Sequence, residues 1–229
     1  MIQVSSAFDG GNIECDTCDD PLDIQLRIRQ DTNAEFFQWF YFRLSGMKGR
    51  DCVMRLKNAG DASYVRGWEG YRAVASYDRE DWFRIETAYQ DDELILTHKP
   101  ESNSVYYAYF APYSMERHAD LIARSALSPR VSQSVLGKTA DGQDVDLLTI
   151  GETGRDKKSF WLIARQHPGE TMAEWWMEGF LDRLRDPNDA VSNALLDAAC
   201  FHVVPNMNPD GSRRGHLRTN AAGANLNRE

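Results

Sequence analysis

The sequence has no long apolar run, few cysteines and a deficit of basic residues. No segment approaches the ~18 consecutive apolar residues that a membrane-spanning helix needs, so no membrane span is expected. The first ten residues contain neither a basic stretch nor an apolar core. A secretory signal peptide is therefore not predicted, and a cytoplasmic location is expected.

Basic residues are outnumbered, because 26 Lys and Arg stand against 35 Asp and Glu and leave a formal net charge of −9. An acidic surface repels phosphate backbones, so a nucleic-acid partner is not expected. One local exception is a cluster of four arginines near the C-terminus: Arg213, Arg214, Arg218 and Arg228. Such a local excess of positive charge is compatible with an acidic substrate.

The chain has only four cysteines, Cys15, Cys18, Cys52 and Cys200. The first two have the Cys-x-x-Cys spacing of metal or redox sites, but no second pair completes a zinc knuckle and no βαβ pattern surrounds them. Four reduced, structural thiols are the favoured interpretation, in keeping with a reducing compartment.

What the sequence does contain is the composition of an ordinary folded protein. Its 229 residues, 42% apolar and 27% charged, predict one large or two small domains. Short β-branched and aromatic segments fill the first half and alternate with turn signals, as in a small antiparallel β-sandwich. The predicted strands are residues 24–29, 38–44, 52–56, 82–87, 93–98 and 105–110.

Beyond Pro112 the pattern changes to one of strands and helices. Helical spacing predicts a helix over 113–126 with Ser114 as its N-cap. A hairpin over 131–150, an apolar strand over 160–165, helices over 171–185 and 190–199, and a second apolar strand over 201–204 follow. Both apolar strands are expected to be buried in the centre of a sheet. The fold class is therefore α/β, with a sandwich domain over 1–112 and, over 113–229, an α/β domain whose mixed central sheet is mainly parallel.

The first motif with chemical content is His167-Pro-Gly-Glu170, at the junction of an apolar strand and a helix. Ligands bind beyond the carboxyl ends of strands in open α/β sheets, so this is a favourable position for a site. An imidazole nitrogen and a carboxylate oxygen are both ligands that Zn²⁺ accepts. On its own the motif is too short to be specific, because a loop histidine beside a carboxylate that a helix dipole favours would look the same.

A second cluster follows the second apolar strand. Asn208-Pro-Asp-Gly211 has the composition of a structural turn. After it comes a glycine-rich segment with several arginines, whose planar guanidinium groups suit bidentate capture of a carboxylate. A solvated basic loop is the alternative interpretation.

Together these motifs resemble those of the zinc metallocarboxypeptidases. Their order along the chain is His-Pro-Gly-Glu, helix, strand, Asn-Pro-Asp-Gly, Arg-x-Asn and Asn-Leu-Asn-Arg. The cytosolic carboxypeptidases are the most similar branch, and they carry a β-sandwich ahead of the peptidase domain. The aromatic run over residues 39–44, followed by Gly46, is similar to a feature of that sandwich.

The resemblance implies a role for five residues of this chain. His167 and Glu170 match two zinc ligands, and Arg218 matches the arginine that polarises the scissile carbonyl and stabilises its oxyanion. Asn227 and Arg228 match the pair that grips the terminal carboxylate of the substrate. The implied activity is zinc-dependent removal of C-terminal residues, with glutamate as a candidate, from peptides or proteins.

The resemblance also implies a second histidine ligand and a glutamate general base. His202, His216 and Glu229 do not match those positions. We therefore expect the chain to be the first part of a longer protein and to be inactive alone. Two alternatives remain open: a related zinc amide hydrolase that acts on acyl-amino acids or peptidoglycan peptides, and a binding module without catalysis.

Overall fold

A computed structural model describes residues 1–154 and 156–229. Within residues 1–110, all of them described, ten strands form two sheets of five. The strands are β1 Gln3–Ser5, β2 Glu14–Thr17, β3 Ile24–Arg27, β4 Tyr41–Ser45, β5 Cys52–Leu56, β6 Val74–Ser76, β7 Phe83–Arg84, β8 Glu86–Gln90, β9 Glu93–His98 and β10 Ser104–Ala108. Short 3-10 helices over Ala59–Asp61 and Val65–Trp68 lie between β5 and β6.

The two sheets form the predicted sandwich around one apolar core. One sheet has the order β1-β4-β10-β6-β7 and the other β2-β3-β5-β9-β8. Side chains of both sheets, such as Leu44 and Tyr107 from one and Met54 and Leu96 from the other, are fully or almost fully buried in it. Each large side chain buried in this way contributes ~1.5–3 kcal/mol of transfer free energy. All pairings are antiparallel except that of β3 with β5.

The second half of the chain contains four helices and four strands among the residues that the structure describes. They are α1 Met115–Ala126, β11 Val131–Lys138, β12 Asp144–Ile150, β13 Lys158–Ile163, α2 Met172–Arg185, α3 Ala190–Ala198, β14 Ala199–Val204 and α4 Pro209–Arg214. Their sheet has the order β11-β12-β14-β13 and is mixed, as predicted. Among the described residues it is not mainly parallel, because β13 and β14 are parallel whereas β11–β12 and β12–β14 are antiparallel. The side chain of Ser114 caps α1, as predicted, and accepts a hydrogen bond from the backbone N–H of Arg117.

Two predictions for this half are wrong. The strand at β13 is not buried, because within the described residues β14 is its sole hydrogen-bonded neighbour, and Phe160, Trp161 and Ile163 are 46%, 59% and 52% exposed. The segment that begins at Asn208 is not an isolated turn. It starts helix α4, because the Asn208 side chain accepts a hydrogen bond from the backbone N–H of Gly211 and serves as its N-cap.

The sandwich contacts the second half of the chain directly. The backbone N–H of Gly10 donates to the carbonyl of Arg213 at 2.9 Å, and the Asn12 side chain donates to the carbonyl of Gly215 at 2.8 Å. Gly215 has a φ of +72°, and a Cβ there would lie 2.7 Å from the carbonyl oxygen of Gly10. A glycine is therefore required at this point of the interface.

None of the helices among the described residues has the length and apolar character needed to cross a membrane. The four cysteines are free thiols, as predicted. Burial raises the pKa of the Cys52 thiol to about 11, so this thiol is a poor nucleophile at neutral pH.

Candidate active site

The His167-Pro-Gly-Glu170 motif forms a tight turn between β13 and α2. Nδ1 of His167 lies 3.1 Å from Oε1 of Glu170, and the backbone N–H of Glu170 donates to the carbonyl of His167 at 3.1 Å. The histidine is buried, at 7% exposure, whereas the Glu170 side chain is exposed. The two predicted ligands are therefore neighbours, and they face each other at the surface.

Asn225 orients the imidazole. Its Oδ1 lies 3.2 Å from Nε2 of His167 and also accepts a hydrogen bond from the backbone N–H of Asn227 at 3.3 Å. In the neutral tautomer that has its proton on Nε2, the ring donates to this oxygen and the Nδ1 lone pair is directed towards the carboxylate of Glu170.

This arrangement fits a divalent cation. Two ligands bound to one zinc ion at ~2.0–2.2 Å in a tetrahedral arrangement lie ~3.3–3.6 Å apart. The 3.1 Å between Nδ1 and Oε1 is slightly shorter and is also a hydrogen-bond distance, so a small movement of the exposed Glu170 side chain would accommodate the ion. In the described part of the chain, no three or more His, Cys, Asp and Glu side chains form a metal-binding group, so His167 and Glu170 stand there as a pair of candidate ligands.

A buried charged network braces the turn from behind. The guanidinium of Arg165 donates to the Pro168 carbonyl at 3.0 Å and to Oε2 of Glu174 at 2.8 Å. On its other side, Glu174 contacts Nδ1 of His118 at 2.6 Å, and Nε2 of that ring lies 3.5 Å from Asp146. Burial disfavours a charged imidazole, but the hydrogen bonds to Asp146 and Glu174 dominate and raise the pKa of His118 to about 9. The ring is therefore cationic at neutral pH.

The segment after α4, residues 215–228, is here called the arginine loop. The arginine loop packs on the turn, since the backbone N–H of Gly169 donates to the Leu217 carbonyl at 3.0 Å. Helix α4 also packs on the turn, because a Cβ at Gly211 would lie 2.4 Å from Cγ of Pro168. At the far end of the arginine loop, the Gln166 side chain donates to the Leu226 carbonyl at 3.1 Å. The two motifs, about 40 residues apart, form one compact unit.

A cleft of about 520 Å³ opens beside this unit. It is lined by Glu170, Arg218 and Arg228 from the predicted set, and by aromatic residues of the sandwich that include Phe36 and Tyr64. A second cavity of about 540 Å³ has none of the predicted residues in its lining, so size alone does not identify the site. The cleft therefore brings two arginine residues and the candidate ligand Glu170 to one surface.

Two arginines of the C-terminal cluster do not line this cleft. Arg213 and Arg214 belong to the last turn of α4, and Arg214 forms an ion pair with Asp141 at 2.6 Å. Asn227 is exposed and does not line the cleft, although the guanidinium of its neighbour Arg228 donates to the Asn227 carbonyl at 2.6 Å.

Sequence reasoning missed the residues that support the site. Asn225 is the first residue of the Asn-Leu-Asn-Arg motif, and that place in the motif was a signal that could have identified it as a site residue. Glu174 lies in the first turn of α2, whereas Glu170 precedes that helix, and a buried glutamate is not visible as such in a sequence. The two histidines that follow the His167 motif in the sequence have other partners: His202 contacts Thr149 at 3.2 Å and His216 contacts Thr32 at 3.0 Å.

Two family models match the chain, one in each half. A family model described as the cytosolic carboxypeptidase N-terminal domain matches residues 4–110, and one described as zinc carboxypeptidase matches residues 118–229. An uncharacterised protein of Zymomonas mobilis is 56% identical over 228 residues, 100% of this chain and 59% of that protein. Cytosolic carboxypeptidase 2 of Xenopus tropicalis is 30% identical over 269 residues, 99% of this chain and 27% of that protein.

Solved structures agree with these matches. A metallo-carboxypeptidase of Burkholderia cenocepacia superposes with a TM-score of 0.98 at 50% identity, over 100% of this chain and 62% of that one. A metallo-carboxypeptidase of Pseudomonas aeruginosa, in complex with (2-guanidinoethylmercapto)succinic acid, superposes with a TM-score of 0.96 at 45% identity, over 99% and 60% of the two chains. The chain spans less than two thirds of the length of each of these relatives.

Proposed function

The chain belongs to the zinc carboxypeptidase family, in its cytosolic carboxypeptidase branch, and we propose that its full-length protein removes C-terminal residues from peptides with a zinc ion bound by His167 and Glu170. One observation carries this proposal: Nδ1 of His167 and Oε1 of Glu170 face each other at 3.1 Å, and Glu170 lines the same cleft as Arg218 and Arg228. The imidazole contacts Asn225 through its other nitrogen, and an outer contact of this kind is typical of a metal-ligating histidine.

The remaining site residues have complementary roles in the proposal. A zinc ion held here supplies Lewis-acid polarisation of the scissile carbonyl and activation of water. The guanidinium of Arg218 stabilises negative charge on the carbonyl oxygen, for which one donor is typically worth ~10²–10³ in rate. Asn227 and Arg228 hold the terminal carboxylate, which selects the chain end over internal peptide bonds.

The described residues do not supply everything that this chemistry needs. A zinc site of the catalytic type has three protein ligands, and peptide hydrolysis requires a group that transfers protons. Because no third ligand joins His167 and Glu170 in the described residues, the proposal assigns the third ligand and the general base to the part of the protein that this chain does not span.

A substrate with an acidic C-terminal residue is the preferred class. The cleft contains the guanidinium-bearing side chains of Arg218 and Arg228 within a protein of net charge −9, so it is a local cationic site. The positive charge of the cleft supports C-terminal glutamate. The compound bound to the Pseudomonas relative carries a guanidino group as well as two carboxylates, so it does not distinguish acidic from basic C-terminal residues. A cytoplasmic location is also proposed, supported by the relatives that are named cytosolic.

A comparison of substrates tests the proposal in the full-length protein. Peptides that end in several glutamates should lose them one at a time, and peptides with an amidated C-terminus should be left intact. Release of an amino acid from acyl-amino acids, with no cleavage of peptides, would instead favour the related amide hydrolase. Binding of glutamate-tailed peptides without turnover in zinc-loaded protein would favour the non-catalytic module.

A further inference from the structure

Asp31, a residue of the sandwich, binds the backbone on both sides of Arg218. Its Oδ1 accepts a hydrogen bond from the N–H of Leu217 at 2.6 Å. Its Oδ2 accepts from the N–H of Arg218 at 2.8 Å, and from the N–H and hydroxyl of Thr219 at 2.8 and 3.0 Å. We propose that Asp31 is a positioning residue that fixes the arginine loop so that the Arg218 guanidinium is directed at the substrate carbonyl. This inference rests on the proposed function.

The geometry requires an anion at this position. Asp31 is 3% exposed, and four donors converge on its two oxygens. Three successive backbone N–H groups that point to one centre form an anion-binding concavity. An asparagine would bring an NH₂ group against these donors, so it could not replace the carboxylate without moving the loop.

The loop that carries Asp31 is itself closed. The backbone N–H of Asp31 donates to the Phe36 carbonyl at 2.8 Å, and the N–H of Ala34 donates to the Asp31 carbonyl at 3.2 Å. Residues 31–36, here called the clamp loop, also bring the ring of Phe36 to 5.7 Å from the guanidinium carbon of Arg218. One short loop of the sandwich therefore contacts both the backbone and the side chain of this arginine.

Two more contacts extend the clamp loop along the arginine loop. The N–H of Thr32 donates to Nε2 of His216 at 3.2 Å, and Nδ1 of that ring lies 3.1 Å from the Thr219 carbonyl. Gly223 has a φ of +93°, and a Cβ there would lie 2.7 Å from the Asn33 carbonyl oxygen. The arginine loop thus follows the surface of the clamp loop over several residues.

This arrangement has a consequence for catalysis. Electrostatic stabilisation of a developing oxyanion depends on donors that are already in place before the reaction. An arginine side chain is long and flexible, so its direction depends on a fixed backbone and on contacts such as that with Phe36. By this account the sandwich contributes to the catalytic centre, through Arg218, and is more than an appended domain.

The test uses full-length protein and a double-mutant cycle. Asp31→Asn should lower kcat about tenfold, a fraction of the ~10²–10³ typical of losing an oxyanion donor outright. In the Arg218→Ala background the same change should lower kcat less than about twofold, because coupled residues are not additive. Zinc content should stay unchanged. Hydrogen exchange of the amides of residues 217–219 should be faster in Asp31→Asn than in wild type.

Asp9→Asn is the matched control. Asp9 also crosses the interface, since its Oδ2 accepts from the N–H of Met115 at 2.8 Å, but it does not contact the arginine loop. It should leave kcat and the exchange of residues 217–219 unchanged. If Asp31→Asn does not fold, Thr219→Val, which keeps the carboxylate and removes one of its four hydrogen bonds, should give a smaller loss of kcat that again depends on Arg218.

The outcomes separate this inference from the function on which it rests. Additive effects in the cycle, or unaltered exchange of residues 217–219, would overturn the role of Asp31 alone. Equal losses of kcat in Asp9→Asn and Asp31→Asn would also overturn it, because general domain docking would then be the cause. Full activity of Arg218→Ala would overturn the proposed role of Arg218, and this inference with it.

Discussion

Nη1 of Arg165 lies 2.8 Å from Oε2 of Glu174, and both side chains are buried directly behind the turn that carries His167. Arg165 adopts a left-handed backbone conformation, with φ +49°, so that its guanidinium reaches both Glu174 and the Pro168 carbonyl. A non-glycine residue in this conformation costs ~1–3 kcal/mol and persists where the surroundings enforce it. The ion pair thus holds the strained segment that follows β13 in the shape that presents the candidate metal ligands.

Loss of this ion pair should destabilise the protein. Glu174→Ala leaves the charge of Arg165 buried without its partner, and we expect the free energy of unfolding to fall by about 3–5 kcal/mol. Urea unfolding measures the change. The exposed pair of Lys138 and Asp144 provides the control, since Lys138→Ala should cost ~0–1 kcal/mol. Equal effects of the two substitutions would show that the buried pair does not support the fold.

The same network makes stability depend on pH through His118. Its pKa is about 9 in the folded protein and the ordinary value is 6.5. Because the folded pKa is the higher one, the stabilisation is complete below pH ~6.5 and is lost as pH rises through ~9, on the order of 3 kcal/mol in total. Urea unfolding at pH 6 and pH 9.5 measures this loss. His118→Gln should be less stable at pH 6 and should show a flatter profile over that range.

Asn225 should affect zinc affinity without being a ligand. Asn225→Ala removes the side-chain oxygen that contacts Nε2 of His167, and loss of such an outer contact typically weakens metal binding ~10–100-fold. Competition with a chromogenic chelator measures zinc affinity in the full-length protein. Asn188→Ala, at an exposed position after α2, is the control and should bind zinc as wild type does. Unchanged affinity in Asn225→Ala would contradict this supporting role of Asn225.

Two glycine-to-alanine substitutions should have opposite effects on stability, one where the two motifs are in close contact and one at an open position of a helix. In Gly211→Ala the new methyl group would lie 2.4 Å from Cγ of Pro168 and 2.5 Å from the Thr219 carbonyl oxygen. Overpacking of this kind costs ~1–3 kcal/mol. Gly179→Ala, in α2 with nothing within 4 Å, should instead stabilise the protein by ~0.5–1 kcal/mol. Thermal unfolding distinguishes the opposite signs, and stabilisation by both would argue against tight packing of α4 on the turn.

Local sequence patterns predicted much of the fold. The strands Cys52–Leu56 and Glu93–His98 have the predicted bounds, because alternation of apolar residues is strong there. The strands Gln3–Ser5, Glu14–Thr17 and Val74–Ser76 were not predicted, since they have three or four residues and depend on neighbours distant in sequence.

The site was predictable only in part, for a similar reason. His167 and Glu170 form a local motif, and the structure brings their side chains together. The contacts of Asp31 with Thr219 and of Glu174 with His118 join residues that are 188 and 56 positions apart in the chain. No local spacing encodes such contacts, so single aspartate and glutamate residues of this kind are invisible before the fold is known.

Zinc content of the full-length protein tests the central claim most directly. The account predicts about one zinc ion per molecule in wild type by elemental analysis after gel filtration, since a His and a Glu are ligands of the catalytic type. His167→Ala should lose that zinc while circular dichroism shows an unchanged fold. Retention of equimolar zinc in folded His167→Ala would contradict the account, because the ion would then be held by other residues.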